Sequence, residues 1–188
     1  MIPEYYEFRN ATKILSGTHA IENIAFELAN MKVTKPLVLT NKQLRSLGLV
    51  DIVTKALEKG LVPAAAIYDD VPVDSSVDVV NDVAKVYRDA GCDAIVAVGG
   101  GSVLDTAKGA NIVITHGATD LKEYMGSEVL LGDRMAPFVA VPTTAGTGSE
   151  VTPVAVIKDT ARHLKMSFVS FNLLPDVAVL DPRMTIGL

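Results

Sequence analysis

This chain of 188 residues has no tryptophan, one cysteine and three histidines. A lone Cys92 allows neither an intrachain disulfide nor a cysteine-based zinc site, and beside a strand start it reads as a small core residue. His19, His116 and His163 form no His-x-x-x-His pair, so each reads as a surface or capping residue. No apolar run approaches the roughly 20 residues that span a bilayer. The N-terminus carries Glu4, Glu7 and Arg9 and lacks an apolar signal core. Positive charge is also in deficit: 17 Lys+Arg against 22 Asp+Glu leave a net charge of −5, with no basic cluster interleaved with aromatics. These absences argue against a nucleic-acid or membrane partner and point to a reducing, cytoplasmic compartment.

What the chain does have is apolar periodicity. Hydrophobic residues make up 49%, enough for one domain with a real core, and no linker or repeat divides residues 1–188. Near-continuous apolar runs at Pro36–Thr40, within Leu61–Tyr68, and at Ala94–Val98, Pro137–Val141 and Val177–Leu180 predict parallel strands covered on both faces. Between them, His19–Asn30, Asp51–Lys59, Ser76–Ala90 and Val103–Thr115 show helical spacing, with Gly60 and Gly91 as stops. The alternation predicts an α/β fold: a doubly wound, mostly parallel, Rossmann-like sheet with helices on both faces. Glu4–Leu15 reads as an extended segment outside that rhythm, and Val151–Phe171 as antiparallel or irregular strands.

The most informative run is Asp93–Lys108, in which a strand ends in Gly99, Gly100 and Gly101 and a helix follows at once. Glycine lets backbone N–H groups approach a bulky anion, and the helix aims its positive dipole end at the same place. Ser102 suits an N-cap and Asp105 the capping-box position three residues on. The run reads as a phosphate or pyrophosphate cradle, although a tight turn in an α/β protein would use similar residues. It matches neither the Gly-x-Gly-x-x-Gly fingerprint nor the P-loop, because Lys108 is followed by Gly109 rather than Ser or Thr.

A second loop, Pro142–Glu150, leaves the sheet at the same edge and offers the hydroxyls of Thr143, Thr144 and Thr147, which suit ribose and phosphate oxygens. Asn41 stands at the tip of the first of these strands, where dinucleotide folds read the adenosine ribose, usually with an acid. A neutral side chain there leaves the choice between NAD and NADP open.

At these residues the chain resembles the iron-containing (group III) alcohol dehydrogenases. Gly-Gly-Gly-Ser-x-x-Asp-x-x-Lys is met by Gly99–Lys108, the Thr-rich pattern by Pro142–Glu150, and a Leu-Pro…Asp-Pro stretch by Leu174, Pro175, Asp181 and Pro182. The resemblance implies that Gly99, Gly100, Gly101 and Ser102 hold a cofactor pyrophosphate, with Thr143, Thr144 and Thr147 flanking the phosphates and the nicotinamide ribose. It places Lys165 near that ribose, Leu180 beside the cofactor pocket and Asp105 close to the active cleft. Asn41 departs from the Asp often found in NAD-preferring members. The family's all-helical domain, whose one Asp and three His bind Fe²⁺ or Zn²⁺, has no counterpart here. The resemblance implies an NAD(P)-dependent alcohol dehydrogenase acting on an alcohol or aldehyde, a homodimer paired through the extended N-terminal segment, with this portion inactive alone. Glycerol dehydrogenase-like and dehydroquinate-synthase-like enzymes share the expected fold, and a free-standing nucleotide-binding module is the alternative outside catalysis. Met166, Phe168, Phe171, Leu173 and Leu174 are expected to form an exposed apolar patch.

Overall fold

A computed structural model describes Tyr5 and residues 10–125 and 135–186. Its strands are β1 (Lys13–Ser16), β2 (Pro36–Leu39), β3 (Ala66–Tyr68), β4 (Ala94–Gly99), β5 (Phe138–Pro142), β6 (Val154–Asp159), β7 (Leu164–Val169) and β8 (Val177–Leu180). The α-helices are α1 (Ile24–Asn30), α2 (Lys42–Ser46), α3 (Leu49–Lys59), α4 (Val77–Asp89) and α5 (Gly101–Thr115). Six strands form one sheet in the order β1-β8-β5-β4-β2-β3, and every pairing in it is parallel. The chain passes from β2 outward to β3, then returns to place β4 on the other side of β2. The winding direction therefore reverses between β2 and β4, which is where open α/β sheets leave a crevice beyond their strand ends.

Side-chain alternation along the strands builds two cores. Ala94, Val96 and Val98 of β4 face α1, α3 and the turn before α1, joining Ile21, Ile24, Leu28, Val53 and Leu57. Ile95 and Ala97 point the other way, toward α4 and α5, where Val80, Val83, Leu104 and Ile112 pack. Small residues bring α4 and α5 close together: a Cβ at Gly109 would lie 3.0 Å from a methyl of Val80.

The antiparallel reading of Val151–Phe171 holds, since β6 and β7 form a hairpin. This hairpin packs Ala155, Ile157, Met166 and Phe168 into the second core. The expected exposed patch is corrected accordingly: Met166, Phe168 and Leu173 are buried, Leu174 is half-buried, and only Phe171 is exposed. Alternation in β7 sends its large apolar residues inward, onto α5 and its neighbours, rather than to a vacant flank.

The extended N-terminal reading also needs correcting in one respect. Lys13–Ser16 is extended, yet it belongs to the main sheet as the parallel edge strand beside β8. Most of the stretch before it lies outside the described residues. The helical pattern from His19 divides into a 3₁₀ turn, Ala20–Asn23, and α1, because His19 adopts a left-handed backbone (φ 72°). Among the described residues, no helix is long and apolar enough to cross a membrane.

Candidate functional site

Three neighbouring strands, β2, β4 and β5, end at one edge of the sheet, and hydrogen bonds tie their exits together. The Thr40 hydroxyl donates to the Val98 carbonyl at 2.9 Å. The Thr143 amide donates to the Gly99 carbonyl at 3.1 Å, continuing a register in which Gly99 faces Pro142. The glycine run and the Thr-rich loop thus leave the sheet side by side.

The helix after β4 begins two residues earlier than the sequence suggests. Gly100 is the N-cap, its carbonyl accepting from the amides of Val103 and Leu104 at 3.1 Å, and no side chain caps the first turn. Ser102 is therefore not the cap; it lies inside the helix and its hydroxyl donates to the Val73 carbonyl. Asp105 does not close a capping box either, because it accepts from the Ser149 hydroxyl (2.7 Å) and the Val156 amide (3.0 Å). The physical reason is that the glycines themselves wind into the first turn. A helix N-terminus without a side-chain cap leaves its amides and dipole available to an anion.

The approach between the two loops is close. A Cβ on Gly100 would come within 2.8 Å of Thr144 Oγ1, and one on Gly101 would touch the Thr147 methyl at 3.7 Å. The loops border a cleft of about 600 Å³, lined by Gly100, Gly101 and Ser102 from the glycine run, by Thr143 and Thr144 from the Thr-rich loop, and by Asn41, Gln43, Leu44, Leu47, Pro72 and Val73. Amides, hydroxyls and aliphatic side chains line it together, a mixture that fits a dinucleotide with its phosphates on the glycines. Asn41 caps α2, its Oδ1 accepting from the Leu44 amide at 2.9 Å, so its Nδ2 is the group left to face a ligand. Lys42 and Arg45 pair with Asp70 and Asp69 along the same rim, at 2.5 Å in each case.

The remaining predicted residues fall into two adjoining cavities. Leu180 lines a cleft of about 380 Å³ together with Thr144, Ala145, Gly146 and Glu150. Lys165 and Asp105 line a smaller one of about 140 Å³ with Ser102, Asp74 and Lys158. Lys165 is exposed, with Asp74 at 3.8 Å. Thr144 borders the first and second cavities and Ser102 the first and third, so the predicted set is contiguous except for Gly99, which is buried beneath the cradle, and Thr147, which lines none of the three but has its methyl beside Gly101.

Lys108 is the last residue of the Gly-Gly-Gly-Ser-x-x-Asp-x-x-Lys pattern, to which the sequence assigns no role. Its side chain is fully buried and Nζ donates to the carbonyls of Thr152 (2.7 Å) and Val154 (2.8 Å) and to Ser149 Oγ (3.3 Å). Burial pushes its ammonium down to about 8, with Asp105 and Glu150 pulling the other way. A usable signal was its place three residues after Asp105 on a helix of small, apolar residues. Among the described residues, no group of three or more His, Cys, Asp or Glu could hold a metal ion. His19 and His163 sit at left-handed turns and His116 ends α5, stacked on Tyr124.

Known proteins share this arrangement. The chain is 40% identical over 172 residues to 4-hydroxybutyrate dehydrogenase from Cupriavidus necator, a match covering 90% of this chain and 44% of that protein. The crystal structure of a 1,3-propanediol oxidoreductase superposes with a TM-score of 0.92 at 36% identity, over 98% of this chain and 48% of that one. Sulfoacetaldehyde reductase from Bifidobacterium kashiwanohense, solved in complex with NAD⁺, superposes with a TM-score of 0.87 at 26% identity, covering 99% of this chain and 48% of its own. The chain thus spans about half the length of the relatives it matches. Residues 11–182 match the family profile described as iron-containing alcohol dehydrogenase, and the chain belongs to that family.

Proposed function

We propose that residues 1–188 form the dinucleotide-binding domain of an NAD(P)-dependent alcohol dehydrogenase that interconverts an alcohol and its carbonyl compound. The observation that carries this reading is the convergence of Asn41, Gly100–Ser102, Thr143 and Thr144 on one cleft at the point where the sheet's winding reverses. The NAD⁺ complex of a structural relative supports the same choice of ligand.

A bound nicotinamide dinucleotide supplies the hydride acceptor or donor. The backbone of Gly100 and Gly101 and the uncapped start of α5 hold its pyrophosphate. The hydroxyls of Thr143, Thr144 and Thr147 bond phosphate and ribose oxygens, and Asn41 Nδ2 donates to the adenosine ribose. Lys165 stands toward the nicotinamide ribose and Leu180 provides an apolar wall. A metal, iron or zinc, held by residues other than the described ones, would polarise the substrate oxygen, so this portion would hold the dinucleotide without oxidising alcohol alone. The full enzyme works as a cytoplasmic homodimer, and the edge strand β1 carries the contact; Ile14 on it is 46% exposed.

Equilibrium dialysis of this chain against NADH and NADPH tests the reading. Saturable binding of at least one is expected; no binding of either at about 1 mM would overturn it.

A further inference from the structure

Lys108 is the largest fully buried side chain of the molecule's described part that carries a charge, and no step above uses it. It sits in the middle of α5, two turns below the cradle. Its Nζ reaches across to the chain segment that follows the Thr-rich loop, bonding the Thr152 and Val154 carbonyls, Ser149 Oγ and, at 3.4 Å, Thr152 Oγ1. Asp105, one turn closer to the cradle, holds the same segment at both of its carboxylate oxygens, from Ser149 Oγ and the Val156 amide. Ser149 links the two, accepting from Lys108 and donating to Asp105.

The connection continues to the cleft. The Ser149 amide donates to Thr147 Oγ1 at 3.4 Å, and the Thr147 methyl lies beside Gly101. The loop between Pro142 and Ser149 is otherwise exposed at Thr144, Ala145, Gly146 and Thr147, so its far end has little else to fix it. One helix therefore offers the pyrophosphate cradle at its start and grips the opposing wall of the cleft from its middle.

We infer that Lys108, with Asp105 and Ser149, is a positioning clamp that holds the Thr143–Thr147 wall at the distance from Gly100–Ser102 that a pyrophosphate requires. The clamp rests on the dinucleotide reading given above. Carbonyls buried without a donor are costly, so an apolar residue at 108 drives Thr152 and Val154 to seek other partners and lets the loop drift. Loss of the clamp should weaken ligands that bridge both walls and spare a ligand confined to the adenosine end.

The test compares the unaltered chain with Lys108→Met, which keeps side-chain length, and Ser149→Ala, which removes only the link. Dissociation constants are measured for ADP-ribose and for AMP, with amide hydrogen exchange at residues 143–156. ADP-ribose should bind about tenfold more weakly to Lys108→Met while AMP stays within about twofold, and exchange across 143–156 should quicken. Ser149→Ala should show the same split in smaller measure, and it decides the question alone if Lys108→Met does not fold. Equal weakening of both ligands, or unchanged exchange, would overturn the clamp. Failure of the unaltered chain to bind either ligand would instead overturn the dinucleotide reading, with the exchange rates still judging the clamp.

Discussion

Gly100 and Thr144 stand so close that one added methyl on the glycine would come within 2.8 Å of the threonine hydroxyl. This close approach brings together the glycine run and the Thr-rich loop, both of which line the cleft. Gly100 has an ordinary extended backbone (φ −80°), so the glycine is required by space and not by conformation. Gly100→Ala should therefore fold and melt close to the unaltered chain, yet bind NADH or NADPH at least about tenfold more weakly. Isothermal titration beside a thermal melt separates the two effects; full-strength binding by the variant would contradict the cradle.

Asn41 has a double role that substitutions can divide. Asn41→Ala removes the cap of α2 and should cost about 1 kcal/mol in urea unfolding. Asn41→Asp keeps a capping oxygen and sets a negative charge at the ribose end. It should leave NADH binding nearly intact and weaken NADPH by about tenfold or more. Equal effects on both nucleotides would show that the ribose 2′ position is not read here.

Acid should weaken the fold through Asp181. Its buried carboxylate accepts from Arg183 Nε (2.9 Å) and Nη2 (2.7 Å) and from the amides of Arg183 and Ile21. The Arg183 guanidinium, with these amides, holds the carboxyl down at about 2, against an ordinary 3.8. A carboxyl lowered by folding stabilises fully above its ordinary value and loses that contribution as pH falls through the folded one. Asp181→Asn should be less stable by roughly 2 kcal/mol at neutral pH, and the gap should close between pH 4 and 2 in denaturant titrations.

Lys108 gives a dependence of the same sign in a different, alkaline window. Its folded value of about 8 lies below the ordinary 10.5, so between those limits the unfolded chain binds more protons and stability from this group rises with pH. The unaltered chain should gain on Lys108→Met by up to about 3 kcal/mol across that alkaline window. A pH-independent gap would place the ammonium in a better solvated setting than the structure shows.

The purified chain, supplied with NAD⁺ or NADP⁺ and with Fe²⁺ or Zn²⁺, should oxidise no primary alcohol above background. Substantial metal-dependent turnover in a spectrophotometric NADH assay would contradict the proposed division of labour.

The sheet was legible because its strands are short, apolar runs bounded by helices of clear period, and β4, β5 and β8 fall within a residue of their expected limits. The cradle, the Thr-rich loop and Asn41 were legible for a related reason: each follows directly from a strand end. What local sequence could not show was long-range pairing. Ser102 has the chemistry of a cap, but its hydroxyl meets Val73, 29 residues away. Asp105 bonds Ser149 and Val156, 44 and 51 residues on, and Lys108 is buried only because the hairpin folds over α5. Gly60 makes the same point in reverse. It resembles a helix stop, yet Leu61 takes the left-handed turn (φ 61°), and Gly60 is small because a Cβ there would lie 2.1 Å from Ala25 Cβ.

The tight contact of Gly109 with Val80 restricts the site from a distance. With 3.0 Å between Val80 and a would-be Cβ, and Phe168 and Ile157 packed in the same core, α5 has no slack to slide along its axis or recoil sideways. An anion site built from a helix terminus cannot adjust by bending side chains, since its donors are main-chain amides. Any bulkier residue at 109 would displace the whole rod, and the amides at its tip would move with it. The proposed phosphate geometry would thus depend on the absence of a methyl group two turns inside the protein.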